Sequence, residues 1–400
     1  MNIAILGSRG IPGQYGGFET AAHHLSEWLV REGHAVSVYC IRNYSKGELK
    51  GDLARVKRVF IPTVRSKWLE KTVFANLSMM HVCFTRAQVV LLLGVSGGPL
   101  CFLPRLFGKK VICNIDGLEW QRKKWGPLAR WCLRVFEKMA VRFSNAVVSD
   151  ARCVQKYCVD EYGRESTYIP YGAELLNYRP GQTMDRFGLE PGRYFLYVSR
   201  LEPENNAHLV VDAFNRVSNT RGLKLVVVGD APFARDYIDS LKDIDNPNIV
   251  FTGYVFGDGY RELQSNAFAY IQATEVGGTH PALVEAMAFG NCILANDVPE
   301  HREVLGEAGL FFATDTPDDL AGQMDALLRQ PEMVPVMGRR AQDVVRNSYL
   351  WDYICEAYER LFRSVLFGEA AEPARRVPAE LEEEPTPVSV STAASADEDR

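Results

Sequence analysis

This 400-residue sequence predicts an α/β protein of two doubly wound, Rossmann-like halves facing a cleft. Short β-branched apolar runs alternate with helical stretches along most of the chain. The alternation breaks once, at "YIPYGAELLNYRP" (Tyr168–Pro180), which holds two Pro and a Gly, and then resumes. The length also exceeds one ordinary core.

The elements follow in order. "NIAILG" is a strand ending in Gly7, and "FETAAHHLSEWLVREGH" is a helix with Ala22, Leu25, Leu29 and Val30 on one face and a stop at Gly33. "AVSVYC" completes a strand–helix–strand unit of a parallel sheet. "VVLLLG", "KKVICNID" and "NAVVSD" continue the first half. After the break come the strands "RYFLYVSR", "LKLVVVGD", "NIVFTGYV", "FAYIQAT" and "CILAN", with helices between them, and a final helix "WDYICEAYERLFRSVLF". We therefore expect an N-terminal domain over 1–170, a linker over 171–180 and a second domain over 181–345. A helix over 346–367 is expected to pack back across both, ahead of an acidic tail over 368–400.

Composition narrows the class. An apolar fraction of 47% and a charged fraction of 24% fit a globular protein. Of the net charge of −5, residues 369–400 carry −6, from nine acids against three arginines, which leaves +1 on the rest. That tail has four Pro and no aromatic residue, so it is expected to be disordered. A near-neutral fold argues against nucleic acid as a partner. Nine cysteines at scattered spacings, without a CxxC pair, predict reduced thiols and a cytoplasmic setting. The N-terminus lacks the pattern of a signal peptide, and the apolar window Val89–Pro104 is too short and broken to span a bilayer.

Four motifs carry candidate chemistry. "GSRGIPGQYGGFET" (Gly7–Thr20) places five glycines between the first strand and first helix, which lets a ligand approach the backbone. It is longer than a GxGxxG dinucleotide turn, and the second strand lacks the acid that would take a ribose hydroxyl. A structural turn is the alternative. In "NIDGLEWQRKKWG" (Asn114–Gly126), Asp116 and Glu119 follow a strand, where a carboxylate can orient a hydroxyl or accept a proton; Asp116 also suits a helix N-cap. Gln121–Arg142 has seven basic residues, one acid, Trp125 and Trp131. It reads either as a membrane-surface helix or as a solvated face over a stripe of Leu128, Leu133, Phe136 and Met139. In "VSRLEPENN" (Val198–Asn206), Arg200 stands at a strand end, where its fork suits a diphosphate. A further stretch, "EVGGTHPALVEAMAFGN" (Glu275–Asn291), is a strand end, a glycine turn and a helix with Pro281 at its start. Such a turn is either ordinary helix chemistry or an anion site.

Taken together, the N-terminal Gly-Gly loop, "SRLEPENN", "FTGYV" and "GGTHPALVEAMAFG" resemble the family-4-type retaining glycosyltransferases of the GT-B fold. "GSRGIPGQYGGFET", "NIDGLEWQRKKWG" and "YIPYGAE" resemble its bacterial rhamnosyltransferase-like branch. The resemblance implies transfer of a sugar, with dTDP-rhamnose the first expectation and UDP-sugars next, to a lipid-linked or oligosaccharide acceptor in cell-surface polysaccharide synthesis. It implies catalytic roles for Asp116, Arg200 and His280. It implies substrate contacts for Gly16, Gly17, Glu119, Asn205, Gly277, Gly278, Thr279 and Glu285, with Glu285 on the donor ribose and the Gly277–His280 turn at the diphosphate and sugar. Where the family's first acid would stand, this chain has Gly277, with Glu275 the nearest acid. Asn205 replaces a diphosphate-pairing Lys, leaving Arg200 and, from the other half, Arg9; Asp116 stands in place of a His. No metal or other cofactor is expected, since no ligand-spaced cluster of His, Cys, Asp or Glu is visible. Peripheral contact with the inner face of the plasma membrane through the N-terminal half is expected. A nucleotide-sugar epimerase and a non-catalytic nucleotide-sugar-binding paralogue are the alternatives.

Overall fold

The computed structural model describes residues 1–369, apart from 14–15, 46, 65, 67–68, 123–124, 219 and 232–233. The expected disordered tail falls almost wholly outside these residues.

The first sheet comprises β1 (Asn2–Leu6), β2 (Ala35–Cys40), β3 (Lys57–Phe60), β4 (Val89–Leu93), β5 (Lys110–Ile115), β6 (Ala146–Ser149) and β7 (Thr167–Tyr168). All its pairings are parallel, in the order β3-β2-β1-β4-β5-β6-β7. Its helices are α1 (Gly17–Arg31), α2 (Glu70–Val82), α3 (Phe102–Leu106), α4 (Pro127–Phe143) and α5 (Arg152–Tyr162). Strand alternation builds two core layers. Ile3, Ile5, Val89, Leu91 and Leu93 pack on one face with α1, while Ala4, Leu6, Val90 and Leu92 pack on the other.

The second sheet is also wholly parallel. It orders β8 (Tyr194–Val198), β9 (Lys224–Val228), β10 (Ile249–Gly253), β11 (Ala269–Gln272), β12 (Ile293–Asn296) and β13 (Gly309–Phe312) as β10-β9-β8-β11-β12-β13. Around it lie α6 (Gln182–Phe187), α7 (Ala207–Arg216), α8 (Arg235–Lys242), α9 (Asp258–Ser265), α10 (Pro281–Ala288), α11 (Pro299–Leu305), α12 (Pro317–Arg329) and α13 (Met333–Ser348). Phe195 and Tyr197 enter one core layer, Tyr194 and Leu196 the other.

The last helix, α14 (Trp351–Phe367), starts at Trp351 rather than at 346. A parallel bridge between Ala173 and Leu350 separates it from α13, with Ala173 N–H donating to Tyr349 O at 2.7 Å. Trp351, Ile354, Cys355, Tyr358 and Phe362 of α14 join the core of the first domain against Ala22, Leu25 and Leu29 of α1. The chain thus crosses between the domains twice, and both crossings meet at the bridge.

Candidate functional site: the cleft at the two switch points

In a parallel sheet the ligand crevice opens outside the carboxyl ends of the strands, where the strand order reverses. The reversals lie between β1 and β4 in the first domain and between β8 and β11 in the second. The loops after β1, β5, β6, β8 and β11 therefore face the cleft.

The glycine loop after β1 is tied to α1. Arg9 N–H donates to the buried Glu19 carboxylate at 2.7 Å, and Gly13 N–H donates to His23 Nδ1 at 3.2 Å. At Gly16 an added Cβ would stand 3.1 Å from Glu19 Oε2. At Gly17, the first residue of α1, it would stand 2.8 Å from Cγ of Pro281 and 3.3 Å from the Tyr171 ring. Gly17 is the close approach that lets the start of α1 meet the start of α10.

Asp116, after β5, does not cap a helix: the next turn is a 3-10 turn over Glu119–Gln121, capped at Leu118. The Asp116 carboxyl meets that of Asp150, which follows β6. Burial and the Asp116 charge push Asp150 well up, and burial pushes Asp116 up. Both carboxyls are thus raised by burial, and hydrogen bonding between them favours a proton shared by the pair. Among the described residues Asp150 Oδ1 is buried without a hydrogen-bond partner.

Asp150 reaches across the cleft as well. Thr279 N–H donates to Asp150 Oδ2 at 3.1 Å, and the Thr279 hydroxyl donates to Asp150 O. Gly278 lies flat on the Asp150 carboxyl, and an added Cβ there would overlap it. On Gly117, an added Cβ would stand 2.6 Å from the Gly277 carbonyl carbon. In this closed arrangement the Gly277–Gly278 pair allows the domains to touch.

Glu119 is engaged by its own loop. Its oxygens accept from Arg122 Nε at 2.7 Å and Trp125 Nε1 at 3.2 Å. Arg122 then crosses to Glu204 of the second domain at 3.1 Å. Glu204 is 2% exposed, so this is a buried interdomain ion pair.

In the second domain Arg200 stands two residues after β8, with its side chain exposed. Asn205 is buried, with Nδ2 donating to Arg200 O at 2.7 Å. It therefore helps to fix the turn carrying Arg200. Glu275 accepts from Asn206 Nδ2 at 2.5 Å. His280 is held neutral, well below the usual imidazole range, by burial and by His301, whose ring centroid is 4.9 Å away. Its Nε2 is buried and has no hydrogen-bond partner among the described residues. Glu285 accepts from Tyr260 OH at 2.6 Å, and Tyr260 OH accepts from Gln264 at 2.9 Å. Burial pushes the Glu285 carboxyl up, while Tyr260 opposes the shift.

The structure thus brings Asp116, Gly17, Gly277, Gly278, Thr279 and His280 together at the domain contact. Arg200 and Glu285 stand on the second domain's side, Glu119 is tied up by Arg122, and Asn205 is buried. Sequence reasoning missed Asp150, although "NAVVSD" ends a strand in an acid just as "KKVICNID" does. Tyr260 had no such signal.

The helix after β5 departs from the expected core stripe. Leu128 is 75% exposed and Trp131 63%, whereas Glu137, Ala140 and Val141 form the buried side. Leu133, Phe136 and Met139 are half-buried. A surface depression lined by Phe102, Arg105, Leu106 and Lys110 lies at the amino ends of β5 and β6, opposite the cleft. Among the described residues no helix is long and apolar enough to cross a membrane, and no cluster of three His, Cys, Asp or Glu residues could hold a metal ion.

Comparison with known proteins fits this geometry. Residues 192–330 match the family model described as group 1 glycosyl transferases. Residues 1–174 match a family model described as a domain of unknown function. An Anabaena protein, Alr3699/HepE, solved in complex with UDP-glucose, superposes with a TM-score of 0.73 at 16% identity, over 91% of this chain and 100% of that one. Sucrose-phosphate synthase from Thermosynechococcus elongatus superposes at 0.74 and 17%, over 91% and 98%. The fold is GT-B. In sequence, phosphatidyl-myo-inositol mannosyltransferase of Mycobacterium tuberculosis is 26% identical over 53% of this chain and 57% of its own length. N-acetyl-alpha-D-glucosaminyl L-malate synthase of Bacillus anthracis is 25% identical over 46% and 49%. The chain spans about half the length of these curated relatives.

Proposed function

We propose that this GT-B protein is a glycosyltransferase. It moves a sugar from a nucleoside diphosphate sugar to a hydroxyl of a lipid-linked saccharide, with retention of anomeric configuration. The observation that carries the reading is the β8/β11 crevice. It gathers Arg200, the Gly277–His280 turn and a Glu285 carboxylate held by Tyr260, all within the stretch matched to group 1 glycosyl transferases.

The chemistry follows from charge. Breaking the glycosidic bond places negative charge on the departing diphosphate. Arg200 and the start of α10 are fixed donors for it, which is electrostatic stabilisation without reorganisation. Glu285 is suited to accept from ribose hydroxyls. The sugar carbon becomes oxocarbenium-like, and the Asp116–Asp150 pair lies on the acceptor side, where two carboxyls that favour sharing a proton stand near it. His280, kept neutral, can donate to or accept from a sugar hydroxyl without adding cationic charge beside that carbon.

The relatives named above are mannosyl and N-acetylglucosaminyl enzymes by name, so nothing favours dTDP-rhamnose over a UDP- or GDP-sugar. A lipid-linked acceptor and peripheral membrane contact are supported by exposed Leu69, Leu128 and Trp131. Leu69 caps α2, and Leu128 and Trp131 lie in the first two turns of α4; both helices begin at the cleft end of the first domain, and exposed Arg130 and Arg134 lie alongside on α4. The test offers dTDP-rhamnose, UDP-glucose, UDP-N-acetylglucosamine and GDP-mannose in turn with a lipid diphosphate-linked sugar. Turnover with one donor, lost in Arg200→Ala, is expected; no turnover with any of them would overturn the reading.

A further inference from the structure

A nucleoside diphosphate carries two or more negative charges next to the bond that breaks, and Arg200 supplies one positive charge. Its neighbour Asn205 is neutral and buried. Arg261, the cation near Glu285, is engaged by Tyr178 at 3.1 Å and Asp258 at 3.4 Å.

The first domain brings another cation. Lys71 lies in the first turn of α2, a helix whose N-terminus is at the cleft end of its sheet. Its ammonium stands over the ring of Phe18, the residue after Gly17, at 5.8 Å. Among the described residues no carboxylate is within 4 Å of it. The acids around it have other partners: Glu70 pairs with Arg9 at 3.4 Å, Glu19 accepts Arg9 N–H, and Glu119 holds Arg122. Arg9 and, from the second domain, Arg200 act on it as like charges, while the Glu119 and Glu19 carboxylates act the other way. Lys71 is open to solvent, yet protein walls it in; this crowding, with the two guanidiniums, pulls its amine down to about 8. Three cations from two domains converge here, and among the described residues neither Lys71 nor Arg200 has a carboxylate within 4 Å, an arrangement that suits a bound polyanion.

We propose that Lys71 is the second cation of the diphosphate site, acting with Arg200 from the opposite side of the cleft. Arg200 binds through its planar fork and Lys71 as a point charge. Because the two come from different domains, the site is complete only when the cleft is closed, and the diphosphate itself favours closure. The proposal rests on the nucleotide-sugar reading above.

The test is calorimetric binding of UDP, GDP and dTDP to the full chain, then of the matching nucleoside and monophosphate for whichever diphosphate binds tightest. Lys71→Met is expected to weaken the diphosphate about tenfold or more and to change the nucleoside less than twofold. Lys71→Arg is expected to retain most of the affinity. Because Lys71 is exposed, both variants are expected to keep the wild-type melting temperature. Unchanged diphosphate affinity in Lys71→Met would overturn the proposal. So would unchanged diphosphate affinity with a raised KM for the lipid diphosphate acceptor, which would assign Lys71 to the acceptor instead. Wild-type protein that binds none of the three diphosphates would overturn the nucleotide-sugar reading itself.

Discussion

Replacing Gly17 with alanine separates the closed cleft from the stability of the domain that carries it. Gly17 opens α1, where alanine is at least as good a helix former as glycine. The added Cβ would stand 2.8 Å from Pro281 Cγ and 3.3 Å from the Tyr171 ring. Ordinary carbon contacts begin near 3.4 Å, so the Pro281 contact must open by about 0.6 Å. The proline ring is rigid and starts α10, so the domains must shift as bodies. Overpacking of this size costs roughly 1–3 kcal/mol, which corresponds to about 5- to 150-fold in the closure equilibrium. The variant is expected to keep the wild-type melting temperature while kcat/KM for transfer falls by that factor. Small-angle scattering in saturating nucleotide is expected to show a larger radius of gyration. Adding Pro281→Ala removes the opposing ring atom, so the double variant is expected to recover most of the loss as a coupled pair. Wild-type turnover in Gly17→Ala, or strictly additive losses in the double variant, would refute the view that this contact belongs to the working state.

Three further outcomes are expected. Tyr260→Phe removes the 2.6 Å hydrogen bond to Glu285; a bond to a carboxylate at about 1.5–3 kcal/mol predicts a KM for the nucleotide sugar raised about tenfold or more, with kcat less affected, in steady-state kinetics. Diphosphate affinity is expected to fall as pH rises through about 8, because Lys71, faced by Arg9, Glu119, Glu19 and Arg200, is protonated below that value and neutral above it; titration at pH 7 and pH 9 checks this, and Lys71→Arg is expected to abolish the slope. Leu128→Ser with Trp131→Ser removes two side chains that are 75% and 63% exposed; co-sedimentation with anionic vesicles is expected to fall while transfer to a soluble acceptor is retained.

The fold was readable because central strands buried on both faces must be continuous apolar runs, as in "VVLLL" and "LVVV". The strands not read from sequence, β3, β7 and β13, are all edge strands. Burial of β3 and β13 is partial, so "KRVF" is half charged, and "GLFF", although apolar, is only four residues long. Candidate site residues at strand ends, such as Asp116 and Arg200, could be located because the chain position of a strand end is local information. Contacts across the cleft could not: Asp150 and Thr279 lie 129 residues apart, and Arg122 and Glu204 lie 82 apart. The burial of Asn205, and its hydrogen bond to the Arg200 carbonyl, were likewise not legible from its position beside Arg200. Leu128 sits at core spacing on its helix, yet it is exposed in the structure.

The most direct measurement is a crystal structure with the tightest-binding nucleoside diphosphate. The expected density lies in the β8/β11 crevice, with the ribose at Glu285 and the diphosphate between Arg200 and the start of α10. Nucleotide bound instead against the Gly7–Gly17 loop, with the second domain's crevice empty, would contradict the assignment of donor binding to that domain.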